Sequence, residues 1–82
     1  MYRQNYPGQM NSKYTSKLLN INGSNYIFET EFTVLDLMDY LGFNKNVIVL
    51  DYNGTILEKT RWEQTYLQNK DYLEILSIAG GG

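Results

Sequence analysis

Two Asn-Gly dipeptides, Asn22-Gly23 and Asn53-Gly54, do most to limit what this chain can fold into. Each is preceded by a β-prone run, "KLLNI" or "NVIVLDY", and followed by another, "NYIFE" or "TILEKT". An Asn-Gly loop tolerates positive φ at both positions and so matches the twist of an antiparallel strand pair. The first dipeptide therefore predicts a hairpin that opens the domain. The second predicts a strand folding back onto a short or edge strand. In "NVIVLDY" a period of two places Ile48, Leu50 and Tyr52 on the core face, with Val49 and Asp51 on the other and Asp51 pointing to water.

Between these β signals lies "FTVLDLMDYLGF". Val34, Leu37, Met38 and Leu41 fall at i, i+3, i+4 and i+7, which predicts one helix of roughly two to three turns with a single apolar stripe. Thr33 is placed to cap it, with Asp36 as the reciprocal partner of a capping box, and Gly42 supplies a left-handed stop. Met38 reads as a core filler. Asp36 and Asp39 lie on the solvent side of this helix and are given no chemistry.

After "TILEKT" comes a short irregular stretch, in which Trp62 and Leu67 are the packing anchors, then an Asn-Lys-Asp turn and a last strand from Tyr72. In that strand Leu73 and Ile75 alternate against Tyr72, Glu74, Leu76 and Ile78. The order strand, strand, helix, strand, short strand, strand predicts an α+β domain: a mixed sheet of four to five strands curled around one helix, the β-grasp arrangement. A ferredoxin-like unit would require a second amphipathic helix, and residues 60–69 do not supply one. The expected organisation is a flexible extension over residues 1–16, the β-grasp domain over 17–78 and a flexible glycine tail over 79–82.

Composition narrows the function. The chain has 82 residues, no cysteine and no histidine, which removes disulfides, thiolate metal sites, cysteine nucleophiles and the commonest general base. A chain so equipped is not expected to be an enzyme by itself. Arg3, Lys13 and Lys17 are the only charges in the first 17 residues, and every Asp and Glu lies beyond them. An acidic folded part argues against binding a nucleic-acid backbone and for a partner with a basic or mixed docking face. No apolar run reaches membrane-spanning length, so no membrane association is expected. Residues 1–16 are acid-free, which leaves a transit peptide as an alternative to a plain extension. The bias toward Asn, Tyr, Ile and Lys fits an AT-rich genome. The expected compartment is the cytoplasm, or the plastid stroma if the source is an alga.

The ending, "ILSIAGGG", is the unusual feature. Gly80, Gly81 and Gly82 follow a good strand, yet glycine packs nothing and loses more backbone entropy on ordering than any other residue. Such a tail is either idle or made for something else to hold.

The stretch "NGTILEKTRWEQTYLQNKDYLEILSIAGGG" resembles the C-terminal half of the ThiS family, the sulfur carriers of thiamine biosynthesis. The shared features are Asn53-Gly54, Trp62, the segment Asp71 to Ile75 and the terminal Gly81-Gly82. The first half, "LNING" and "FTVLDLMDYLG", is similar to the family's opening hairpin and helix, so the resemblance covers residues 18–82. Where the family often has Pro-Arg before the tryptophan, this chain has "EKTR", and its N-terminal extension is longer than usual.

The resemblance implies a specific chemistry for Gly82. A ThiF-like adenylating enzyme would use ATP to activate the terminal carboxylate, a sulfur-donating enzyme would supply the sulfur of a thiocarboxylate, and a ThiG-like thiazole synthase would receive it. The carrier itself would bind no cofactor and would be a monomer when alone. Carboxylates are poor electrophiles, so activation has to precede sulfur attack, and the partner must supply the electrostatic stabilisation. Glycine at positions 80 to 82 lets a narrow channel admit the chain, and four extended residues reach roughly 13 Å. Docking would use the outward face of the last strands, with Val49, Leu76 and Ile78 as the contacts. The alternatives are a molybdopterin synthase small subunit, whose end usually reads closer to "PPV(S/A)GG", a carrier for transfer-RNA thiolation, and a ubiquitin-like binding module without chemistry.

Overall fold

In the computed structural model, which describes residues 16–78, both Asn-Gly dipeptides form tight loops with positive φ at each position: 52° and 88° at Asn22 and Gly23, 53° and 91° at Asn53 and Gly54. The first joins β1 (Lys17–Ile21) to β2 (Ser24–Phe28), antiparallel, with Ile21 opposite Ser24. The second joins β3 (Ile48–Tyr52) to β4, which is only Thr55–Ile56. β4 is shorter than the run "TILEKT" suggests, because the chain leaves the sheet at once for a 3-10 helix over Lys59–Gln64. That helix occupies the stretch expected to be irregular. It forms around Trp62, which is buried and donates its indole N–H to the Leu57 carbonyl at 3.0 Å, so the largest side chain of the core carries no unsatisfied donor.

The helix α1 (Val34–Leu41) has both halves of the expected capping box. Thr33 Oγ1 accepts from the Asp36 amide at 3.1 Å and the Asp36 carboxylate accepts from the Thr33 amide at 3.0 Å. Gly42, at φ 78°, closes the other end by donating to the Met38 and Asp39 carbonyls. Val34, Leu37 and Met38 are buried completely. Leu41, expected on the same stripe, is instead 36% exposed: the eight-residue helix ends there, which leaves its last apolar position at the margin of the core.

The last strand, β5 (Tyr72–Ser77), enters the middle of the sheet. The strand order is β2-β1-β5-β3-β4, with β1 and β5 parallel and every other pair antiparallel. One helix on a mixed five-stranded sheet of this order is the β-grasp fold expected from the sequence. The two turn asparagines clamp β5 from either side. Asn22 donates its backbone N–H to the Leu73 carbonyl and accepts the Ile75 N–H on its side chain, at 2.9 and 2.7 Å. Asn53 exchanges the equivalent pair with Tyr72, donating its backbone N–H and accepting on its side chain, both at 2.8 Å. Each residue thus makes a turn and also extends a ladder onto the central strand.

This register decides which side chains form the core. Leu19 and Ile21 of β1, Ile48 and Leu50 of β3, and Leu73 and Ile75 of β5 face α1, and Trp62 and Leu67 close the edge. Tyr52 lies on the expected face but is only half-buried. Asp36 serves the helix cap and Asp39 pairs with Lys45, so both carboxylates have structural partners. Truncating a fully buried leucine costs about 2–5 kcal/mol, and truncating an exposed one roughly 0.5 kcal/mol or less. Urea denaturation should therefore show Leu73→Ala losing several times the stability that Leu76→Ala loses. Equal losses would mean that β5 has the opposite face inward.

Candidate functional site

The outward face of the sheet follows from the same alternation. On β5 it shows Tyr72, Glu74 and Leu76, continued by Ile78 just past the strand; on β3, Val49 and Asp51. Leu76 is 46% exposed and Ile78 53% exposed, while Val49, directly opposite Leu76, is half-buried. The three residues expected to form a contact surface are thus adjacent on one face. Sequence reading missed their neighbours. Ile56 lies opposite Asp51 and is 57% exposed, and Leu18 and Ile27, opposite each other on β1 and β2, form a separate exposed apolar pair beyond the Asn20–Asn25 row. The alternation of "KLLNI" could have revealed Leu18, had Lys17 not been the inward residue: it is buried, with its ammonium 3.6 Å from Glu31.

Two carboxylates stand in the middle of this apolar face. Asp51 and Glu74 are direct cross-strand partners, and Asp51 Oδ1 is enclosed without any hydrogen-bond partner. The expectation that Asp51 points simply to water is therefore corrected: it is on the outer face, on a strand flanked by β4 and β5, but one of its oxygens is enclosed. Among the described residues no group of three or more metal-ligating side chains converges and no pocket opens.

The face ends where the chain leaves the sheet. Ile78 donates its N–H to the Val47 carbonyl at 2.8 Å, one residue after Ser77 pairs with Ile48. The expected tail, with Gly80, Gly81 and Gly82, lies outside the described residues, as does the expected extension apart from Ser16. The base from which the tail departs is thus fixed by the central strand and lies directly beside Leu76.

The start of β5 is fixed by a second polar cluster. Asp71 is buried, and its carboxylate accepts from the Tyr52 hydroxyl, from Asn53 Nδ2 at 3.1 Å and from the Gln68 amide at 2.7 Å. Three donors satisfy a charge that burial would otherwise make costly. Burial first, and then the Asp71 carboxylate that it bonds, hold the Tyr52 phenol above the usual tyrosine range.

The model of the ThiS family matches residues 13–82, which include the whole sheet, the helix and the terminal glycines. The chain belongs to the ThiS family. The ThiS protein of Geobacter metallireducens, a thiamine biosynthesis protein by its description, has a crystal structure that superposes with a TM-score of 0.69 at 25% identity, over 79% of this chain and 99% of that one. Among curated sequences, the uncharacterized protein ycf40 of Trieres chinensis is 40% identical over 68 residues, covering 83% of this chain and 93% of its own length. The ycf40 protein of Pyropia yezoensis is 33% identical over 64 residues, covering 78% and 90%. The ThiS match and the β-grasp topology agree with each other, and no described helix is long and apolar enough to cross a membrane.

The Tyr52–Asp71 contact makes a prediction about this ThiS-family domain in alkali. A tyrosine in the unfolded chain ionises near pH 10. Tyr52 in the folded chain holds its proton beyond that point, so the folded state binds more protons and its advantage disappears as pH rises above about 10. Unfolding free energy measured by urea titration should fall more steeply above pH 10 in the wild type than in Tyr52→Phe. Parallel curves would contradict the assignment.

Proposed function

We propose that this ThiS-family chain is a sulfur carrier for thiamine thiazole synthesis, acted on by partner enzymes and not itself an enzyme. A ThiF-like enzyme adenylates the Gly82 carboxylate with ATP, a sulfur-donating enzyme supplies the sulfur, and the resulting thiocarboxylate is delivered to a ThiG-like thiazole synthase. The observation that carries this reading is the position of β5. The central strand of the sheet, clamped on both sides, leads directly into Ala79–Gly82, and the apolar side chains of Val49, Leu76 and Ile78 stand exposed or half-buried beside its exit.

In mechanistic terms the domain is a handle and the tail is the substrate. Adenylation joins the carboxylate oxygen of Gly82 to the α-phosphorus of ATP and releases pyrophosphate. Attack by sulfide-level sulfur (HS⁻) from the donor then forms the C–S bond at the activated carbonyl and expels AMP, leaving the thiocarboxylate. The sheet face holds the carrier on its partner, and the glycines let the reacting carbon enter a channel without a Cβ to obstruct it. ATP and any metal that accompanies it belong to the partner in this scheme. Of the two compartments expected, cytoplasm or plastid stroma, the algal sources of the ycf40 relatives favour the second.

Geometry of the tail separates a carrier from a ubiquitin-like module that only docks. Adding one alanine after Gly82 moves the carboxyl about 3.5 Å and places a Cβ beside it, while the docking face is unchanged. Pyrophosphate exchange with a ThiF-type enzyme should collapse for this variant and for Gly81→Val, while their affinity for the enzyme stays within about tenfold of wild type, roughly 1.4 kcal/mol. Undiminished exchange on the lengthened chain would remove the reading.

A further inference from the structure

The Asp51–Glu74 pair is an energetic oddity. Like charges directly opposite one another on a sheet destabilise it, and their Cβ atoms stand roughly 4.5–5.5 Å apart. Here the pair joins the two strands β3 and β5, and Asp51 Oδ1 has neither water-facing surface nor a hydrogen-bond donor. Among the described residues no lysine or arginine forms an ion pair with either carboxylate. The outward positions of the five strands carry apolar or amide side chains besides this pair, and the ion pairs of the described residues, Lys17 with Glu31 and Lys45 with Asp39, involve neither carboxylate. Every other buried side-chain oxygen or nitrogen among the described residues has a hydrogen-bond partner.

We infer that the Asp51–Glu74 pair is the receptor for an arginine of the activating enzyme, inserted into the apolar face between Ile56 and Leu76. A guanidinium suits the site better than an ammonium, because its planar fork can give N–H donors at once to the accessible oxygens of two neighbouring carboxylates. The surrounding apolar side chains, Val49, Ile56 and Leu76, would exclude water once the partner is seated and so strengthen the charged contact. The free chain tolerates an uncompensated pair because binding compensates it, and a partner with an acidic or neutral face is rejected for the same reason. The inference specifies the chemistry of the docking partner and rests on the carrier reading above.

The test uses a ThiF-type enzyme, the full-length chain, and the variants Asp51→Asn and Glu74→Gln. Three quantities are measured: affinity by titration calorimetry at two salt concentrations, pyrophosphate exchange, and the thermal midpoint of the free carrier. Each substitution should weaken binding about tenfold or more and flatten its salt dependence, since a desolvated charge pair loses one partner. Asp51→Asn should leave the thermal midpoint of the free domain unchanged or raise it, because it removes a repulsion and an enclosed, unpartnered charge. A purely structural Asp51 would lower the midpoint; Glu74→Gln then decides the inference alone. Wild-type exchange together with variants that bind within twofold of wild type overturns the arginine receptor and leaves the carrier reading intact. Absence of wild-type binding and exchange overturns the carrier reading itself, and with it this inference. A free wild-type chain that dimerises, with the variants monomeric, would place a second copy on the face and also overturn the assignment.

Discussion

The clamp on β5 by Asn22 and Asn53 is the constraint from which the rest of the molecule follows. Each asparagine sits at positive φ inside a tight loop, a conformation that Asn accepts more readily than most residues, and each offers both a backbone N–H and a side-chain oxygen to the same central strand. β1 ends at Ile21 and overlaps β5 only at Asn20 and Ile21. Without Asn22 the parallel pairing would therefore stop at two residues. The clamp fixes the register of β5, the register sends Leu73 and Ile75 inward and Leu76 and Ile78 outward, and the same register determines where the C-terminal segment departs. A slip of one residue would exchange the core for the surface.

Division of labour between the two faces of the sheet explains an otherwise wasteful composition. The inner face, α1, Trp62 and Leu67 together bury eleven apolar residues among those described, which in a domain this small is the main source of stability. The outer face keeps Ile27, Ile56, Leu76 and Ile78 largely in water and places two carboxylates against each other. None of this helps the free chain fold. The exposed apolar side chains of Leu76 and Ile78, at the end of the sheet where the chain leaves it, make sense as a docking face.

Much of this was legible from the residues because local signals agreed with the fold. The two Asn-Gly loops, the Thr33–Asp36 capping box, the Gly42 stop and the inward positions of Ile48, Leu50, Leu73 and Ile75 all follow from short-range chemistry that the tertiary structure does not override. The parts that were not legible depend on contacts distant in sequence. The 3-10 helix at Lys59–Gln64 has weak periodicity and forms because Trp62 finds the Leu57 carbonyl and the core. Lys17 is turned inward against the sense of its charge by Glu31, 14 positions away, which hid Leu18 as a surface residue. Asp51 gave a correct face and an incomplete environment: alternation assigns a side, but it does not show that one of its oxygens is enclosed once β3 lies between β4 and β5. The same limit applies to the docking contacts, since Val49 and Leu76 become neighbours only once β3 and β5 pair.

The central claim is that Gly82 is the reacting residue, and the most direct measurement is the intact mass of the chain after incubation with a ThiF-type activating enzyme, ATP and a sulfur donor. The account predicts an ATP-dependent increase equal to the replacement of one oxygen by sulfur, located by fragmentation to the C-terminal glycine. An unchanged mass, in a reaction where the same enzyme and donor convert another carrier, would contradict it.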